Sequence, residues 1–368
     1  MHGAGLVRAM QEKRPGLHFF GVGGSSLIDA GVEALVDVRE LSVMGFTEVF
    51  SSLHVLRKAL RKAKKEMNVR RPALVILVDF ADFNLRLAKA AHGMGIPVFY
   101  YIPPKVWVWR KHRVKQLAKY VTCAAVILPF EEAYLQDNGV RAKYVGNPVS
   151  ETIQPRFYQN QFSEKYSIDN DRAIIGIFPG SRKKEVALLL PIFLEAARRM
   201  QKKYSKELTF VIPLAPTMSP EDLEINGLAE YRKHLDIHLI AEDRYELMAS
   251  CDAAVAASGT VTLELALLSV PMVVAYKLSP VSYGVGKLMI DLPFFSLVNL
   301  ISKKEVVTEL LQNQVTPGSV EIELARVLFD EDVRAMMRRE YNNIKTTLGQ
   351  HRPSPEAAEL ALHTLDMG

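Results

Sequence analysis

Short apolar runs rich in β-branched residues recur along the chain, and most are followed by a longer segment of helical period. In the first half they fall at residues 17–22, 73–78, 96–102 and 123–130, and in the second at 174–178, 208–214, 237–240, 253–257 and 271–276. Near-continuous apolar runs, unlike alternating ones, are what strands buried on both faces of a parallel sheet require. The intervening helices must then cover both faces. One is well defined: Val186, Leu189, Leu190, Phe193, Ala197 and Met200 follow the i, i+3, i+4, i+7 pattern of an amphipathic helix.

At 368 residues the chain exceeds one core, and two domains are expected. The polar stretch 154–170 reads as the linker. The expected architecture is α/β, with two doubly wound Rossmann-like domains facing a cleft: residues 1–155, then 171–320, with 321–368 forming helices that cap the second domain or cross back onto the first. With 49% hydrophobic and 24% charged residues, the composition excludes disordered, collagen-like and disulfide-stapled chains. No stretch free of Asp, Glu, Lys and Arg exceeds 15 residues, too short to span a bilayer. No secretion signal marks the N-terminus and two cysteines form no framework, so a reducing cytoplasm is expected.

Charge is unevenly spread. Residues 1–150 hold 22 Lys and Arg against 12 Asp and Glu, leaving 24 against 29 for the rest. One half therefore expects an anionic counterpart: a phosphate-bearing substrate, a membrane surface or a nucleic acid. The segment 56–71 alone carries eight Lys or Arg and one Glu, which is a solvated helix face or a membrane-surface patch.

Several strings can carry chemistry. Residues 177–185 leave a buried strand, turn on Gly180 and enter a helix whose free N–H groups form an anion site, with Ser181 and Arg182 beside it. Residues 257–264 repeat the device. There Ser258, Gly259 and Thr260 admit phosphate oxygens to the backbone, and Glu264 can accept from ribose hydroxyls. Two such loops in one domain favour a nucleotide. In the first domain a strand ends in Asp79-Phe80-Ala81-Asp82-Phe83-Asn84. Asp79 can serve as general base, and Asp82 caps the helix expected from Phe83. Asp-x-x-Asp without a third ligand argues against a metal. Trp107, Trp109 and Arg110, beside two prolines, can hold a sugar or meet lipid headgroups, or pack as core. Gly21-Val22-Gly23-Gly24 lacks dinucleotide spacing and reads as a βα turn, and Cys123 and Cys251 read as inert buried thiols. The apolar stretch 281–300 is a surface element or core, with Asn299 as its polar site candidate.

In order along the chain, Glu40–Val49, Asp79–Asn84, Val106–Arg110, Phe130-Glu131, Val145–Pro148, Pro179–Arg182, Ala257–Thr260, Pro271–Tyr276 and Ser296–Leu300 resemble the lipid-A-disaccharide synthases, inverting glycosyltransferases of the two-Rossmann GT-B type. The resemblance implies transfer of glucosamine from UDP-diacylglucosamine to the 6-hydroxyl of diacylglucosamine 1-phosphate (lipid X), giving a β-1,6-linked disaccharide and UDP. It places Asp79 as general base or essential acid at the acceptor, Asn299 as essential near the donor, and Arg182, Ser258, Gly259, Thr260 and Glu264 around UDP. Asp82, Trp107, Trp109 and Arg110 fall on the acceptor or membrane side. It also implies no cofactor or metal, no nucleic acid partner, peripheral docking on the inner face of the inner membrane, and a possible homodimer.

The match departs from the family in places. Tyr100, Pro103 and Lys105 stand where the family usually has His, Ser and Ser, and Asn147 where it has His. Met1–Gly5 matches the residues after the family's first strand and Gly-rich loop, so that strand is expected to be missing and the start to lie upstream. Two other readings remain open. One is another UDP-N-acetylglucosamine-using GT-B enzyme, a peptidoglycan-precursor transferase or an epimerase. The other is a catalytically silent nucleotide-sugar-binding protein.

Overall fold

Strands apolar on both faces can satisfy their backbone and bury their side chains only between layers of helices, and that arrangement is found twice in the computed structural model. The structure describes residues 2–37, 49–108, 111–157, 159–204, 208–278 and 292–367. It divides into two compact units, residues 1–148 with 349–368, and residues 149–348.

The first unit runs α1 (His2–Lys13), β1 (Phe20–Gly23), α2 (Ser25–Ile28), β2 (Glu33–Asp37), α3 (Val49–Arg70), β3 (Val75–Val78), α4 (Ala81–Gly93), β4 (Val98–Tyr101), α5 (Val114–Tyr120), β5 (Cys123–Val126), α6 (Pro129–Asp137) and β6 (Ala142–Tyr144). All its strand pairs are parallel. Among the described residues they form two sheets, β1-β2 and β3-β4-β5-β6. Gly21 and Gly23, expected in a βα turn, instead lie within β1, and only Gly24, the cap residue of α2, forms the turn.

The second unit runs α7 (Val149–Thr152), α8 (Gln159–Tyr166), β7 (Ala173–Phe178), α9 (Lys183–Lys203), β8 (Leu208–Pro213), α10 (Pro220–Glu224), α11 (Leu228–Tyr231), β9 (Ile237–Ile240), α12 (Arg244–Ala249), β10 (Ala253–Ala257), α13 (Thr260–Leu267), β11 (Met272–Tyr276), α14 (Leu297–Ser302), β12 (Glu309–Leu311), α15 (Pro317–Phe329) and α16 (Glu331–Gly349). Its six parallel strands lie in the order β12-β11-β10-β7-β8-β9. The chain winds outward from β7 in one direction and from β10 in the other, so the order reverses between these two neighbours.

The last helix, α17 (Pro353–Asp366), belongs to the first unit. Its Ala357, Ala358 and Ala361 pack with Leu6, Ala9 and Met10 of α1 against Phe99 and Tyr101 of β4. Small residues on α17 allow that close approach, and Arg14 forks onto Asp366 at 2.7 and 2.8 Å at its end.

Boundaries differ from expectation in two places. The first unit ends at Pro148 rather than at 155. The stretch expected as linker contains α8, tied to the second unit by fully buried Phe162 and by Lys165 and Tyr166, which both bind Asp243. One buried aromatic among polar residues gives too weak a period to read as a helix. Both cysteines are free and buried, and burial pushes their thiols up. Among the described residues no helix is long and apolar enough to cross a membrane.

Candidate active site

At the C-terminal end of β3 the backbone takes two consecutive left-handed residues, Asp79 (φ 50°) and Phe80 (φ 44°). Neither is glycine, and each such conformation costs about 1 kcal/mol or more unless its surroundings impose it. Here they do. The buried Tyr100 hydroxyl donates to the Asp79 carbonyl at 2.7 Å, and buried Asn84 donates its Nδ2 to the same oxygen at 2.6 Å and to Val78 O at 3.0 Å. The Asp79 amide donates to Tyr101 O at 3.1 Å. The result is an immobilised main chain that leaves the Asp79 side chain exposed. Burial, the largest influence on the Tyr100 phenol, raises its pKa, so it stays a donor.

Asp82 does not cap the helix. α4 begins at Ala81 with Phe80 as its cap residue, so Asp82 sits in the first turn, where a carboxylate favours the helix dipole. Its side chain is ion-paired with the guanidinium of Arg113.

Trp107 requires a correction as a lipid-facing or sugar-facing residue. It is 8% exposed, its indole N–H donates to the buried Glu131 carboxylate at 2.9 Å, and its ring meets Phe130 edge-on at 4.8 Å. A buried indole needs an acceptor, and Glu131 supplies one. Glu131 also accepts from Leu128 N at 3.1 Å, and its carboxyl is raised by burial. Trp109, Arg110 and residues 40–48 and 281–291 of the motifs above lie outside the described residues.

In the second unit β7 and β10 are adjacent, with Phe178 opposite Ala256. The two Gly/Ser loops therefore leave neighbouring strands at the point where the sheet order reverses, which is where open α/β sheets bind ligands. Gly180 takes φ +108°, and a Cβ there would meet a Glu185 carboxylate oxygen at 2.8 Å. Only glycine fits without strain. Arg182, 81% exposed at the start of α9, pairs with Glu185 at 2.6 Å, and the Ser181 carbonyl accepts from Thr217 at 2.6 Å. No side chain caps the first turn of α9 or of α13, so their leading N–H groups keep anion-binding capacity.

The Ser258 hydroxyl donates to Phe295 O at 2.8 Å, leaving its oxygen as acceptor. Glu264 is 4% exposed and ion-paired with Arg244, a residue the sequence did not single out. Burial raises its carboxyl despite that partner.

Asn299 has no exposed surface, and its side-chain amide is saturated. Nδ2 donates to Val307 O at 2.9 Å and to Glu309 at 2.8 Å, while Oδ1 accepts from Val306 N at 2.7 Å and Val307 N at 3.0 Å. As a catalytic group it must be corrected to a positioning one, because nothing on it is left to meet a ligand. Glu309 also accepts from Phe295 N at 2.7 Å and Ser296 N at 2.9 Å. Asn299 thus acts through Glu309 on the very residue that receives the Ser258 hydroxyl. Glu309, Tyr100 and Asn84 were not singled out as site residues. The charged Glu309 between Thr308 and the apolar Leu310-Leu311 was the available signal.

Two Rossmann-like units with parallel sheets, joined in one chain, define the class of the GT-B fold. Solved structures share this fold. The UDP-GlcNAc 2-epimerase from Neisseria meningitidis bound to UDP-GlcNAc superposes with a TM-score of 0.60 at 14% identity, covering 99% of this chain and 96% of that one. The calicheamicin glycosyltransferase gives 0.59 at 16%, covering 99% and 94%. The model of the lipid-A-disaccharide synthetase family matches residues 1–363, and the chain belongs to that family. Lipid-A-disaccharide synthase from Trichlorobacter lovleyi is 38% identical over 368 residues, covering 100% of this chain and 94% of the relative. Its counterpart from Nitrosococcus oceani is 39% identical over 350 residues, covering 95% and 89%. The chain is accordingly a hexosyltransferase that forms the lipid A disaccharide from nucleotide-sugar and lipid substrates, and neither the other GT-B enzymes nor a catalytically silent binding protein is favoured.

Proposed function

We propose that the enzyme transfers glucosamine from UDP-diacylglucosamine to the 6-hydroxyl of diacylglucosamine 1-phosphate, with Asp79 as the general base. The observation that carries this reading is the mounting of Asp79: an exposed carboxylate on a backbone pinned by Tyr100 and Asn84. In the forward step the Asp79 carboxylate takes the proton of the 6-hydroxyl as its oxygen attacks the anomeric carbon of the donor. The bond from that carbon to the diphosphate breaks with inversion, and UDP leaves.

The donor's diphosphate belongs at the N-termini of α9 and α13, over Gly180, Ser181, Ser258, Gly259 and Thr260. The exposed Arg182 supplies the charge that stabilises UDP as it departs. Arg182 must exchange Glu185 for phosphate, a small loss for so exposed a guanidinium. Glu264, fixed by Arg244, retains one carboxylate oxygen for the ribose.

Both substrates carry acyl chains, which calls for docking at a lipid surface. The support is α3, whose Ala59, Ala63 and Met67 face inward while Arg57, Lys58, Arg61, Lys62 and Lys65 are exposed. Each such cation contributes about 1 kcal/mol at an anionic leaflet.

The test supplies donor with two acceptors in detergent, one normal and one lacking the 6-hydroxyl. Disaccharide and UDP release from the first alone supports the reading. Product from both, or from neither with a folded enzyme, removes it.

A further inference from the structure

Two adjoining cavities open on the first unit along α4, one from its first turn at Asp82 and the other reaching its last turn at Gly93. One, of about 270 Å³, is lined by Arg86, Lys89, His112 and Arg113, with Asp82 as its sole acid. The other, of about 450 Å³, shares Arg86 and Lys89 and adds Lys64 with the apolar or small Ala90, Gly93 and Met94. Asp82, Arg86 and Lys89 are spaced i, i+4, i+7 and so lie on one face of α4. Asp82 is already committed to Arg113. Among the described residues Arg86, Lys89 and His112 have no carboxylate partner, although much of the molecule's surface charge is paired.

Arg86 and Lys89 are exposed, whereas Arg113 is only 9% exposed and held by Asp82. Exposed Arg86 and Lys89, with no acid of their own among the described residues beside the pair of Arg113 and Asp82, leave a local excess of positive charge that an anion would offset. The match is to a compact, doubly charged group. The Arg fork binds phosphate oxygens bidentately, and Lys adds a point charge. A planar leaflet would instead be met by the outward cations of α3. The apolar strip of the second cavity suits a ligand that carries hydrocarbon beside its phosphate.

We propose that Arg86 and Lys89, supported by His112 and Arg113, form a phosphomonoester site that holds the sugar phosphate of the acceptor lipid. This rests on the acceptor reading of Asp79 above. The helix then serves the acceptor at two places: the loop before its first turn presents the base to the hydroxyl, and its middle turns hold the phosphate at the far side of the sugar. At 1.5 Å per residue, Arg86 and Lys89 lie about 6 and 10 Å further along the axis than Asp82. A monosaccharide phosphate is of that scale.

The experiment measures transfer in neutral detergent micelles to diacylglucosamine 1-phosphate and to diacylglucosamine without phosphate, for wild type and for the Arg86→Gln/Lys89→Gln double variant. Both side chains are exposed, and equal melting temperatures verify folding. Wild type should lose about 100-fold in kcat/KM when the phosphate is absent, the scale of two charge-assisted hydrogen bonds. The double variant should lose about as much on the phosphorylated acceptor, mainly through KM, and no more than about threefold on the other. Equal losses on both acceptors overturn the proposal. So does a defect confined to anionic vesicles, which would assign the cations to membrane headgroups.

Calorimetry with glucosamine 1-phosphate separates this site from the transfer reading. Binding to wild type that weakens at least tenfold in the double variant supports the site even if no disaccharide forms. Absence of binding to wild type overturns it even if transfer occurs.

Discussion

The Tyr100 hydroxyl donates to the carbonyl oxygen of Asp79 at 2.7 Å, reaching from β4 to the strained end of the neighbouring strand β3. It shares that oxygen with Asn84 Nδ2, so the peptide that orients the proposed base is held from two elements. This gives Tyr100 a positioning role.

Replacing Tyr100 with Phe removes one of two donors and leaves the ring in place. The cost expected is about 1 kcal/mol of stability, with a kcat loss of about fivefold and little change in KM for either substrate. Urea unfolding and steady-state kinetics read both. An unchanged kcat would mean that Asn84 alone fixes Asp79.

Asn299→Ala would orphan the amides of Val306 and Val307 and the carbonyl of Val307. With each buried group costing about 1–3 kcal/mol, total destabilisation of about 3 kcal/mol is expected, together with weakened UDP binding through Glu309 and Phe295. Denaturant titration and UDP calorimetry measure these. A variant as stable as wild type that binds UDP normally yet transfers nothing would restore Asn299 to a direct catalytic role.

Glu264 gives a pH signature. Its carboxyl is raised in the folded state by burial, so below the ordinary carboxylate range it costs nothing, and the penalty for ionising it appears as pH rises through its folded pKa. Glu264→Gln should therefore melt higher than wild type at pH 7, and the gap should close as pH falls below about 4.5. UDP affinity should drop if the ribose contact is real. A gap that widened on acidification would show that the pair with Arg244 outweighs burial.

The strands read from apolar runs (β1, β3, β4, β5 and β7 to β11) emerge at those runs, whereas β2, β6 and β12 were not read at all. Among the described residues the three omitted strands lie at sheet edges. An edge strand has one neighbour and less cover, so Glu33–Asp37, Ala142–Tyr144 and Glu309–Leu311 need no long apolar run. The chemistry-bearing loops were legible because glycine and hydroxyl residues at strand ends have few other uses. What stayed hidden was support: Tyr100 and Asn84 under Asp79, Glu309 under Asn299, Glu131 under Trp107, Arg244 beside Glu264. Each is a long-range partner whose role depends on which strands become neighbours, and no local period encodes that.

The central claim is that Asp79 removes the proton of the acceptor hydroxyl. Its most direct test is the single-turnover rate of Asp79→Asn with both substrates saturating, alongside UDP affinity. The isosteric amide preserves the strand end but cannot take a proton, so the rate should fall by 10²–10⁴-fold with UDP affinity unchanged. A rate within tenfold of wild type would contradict the account.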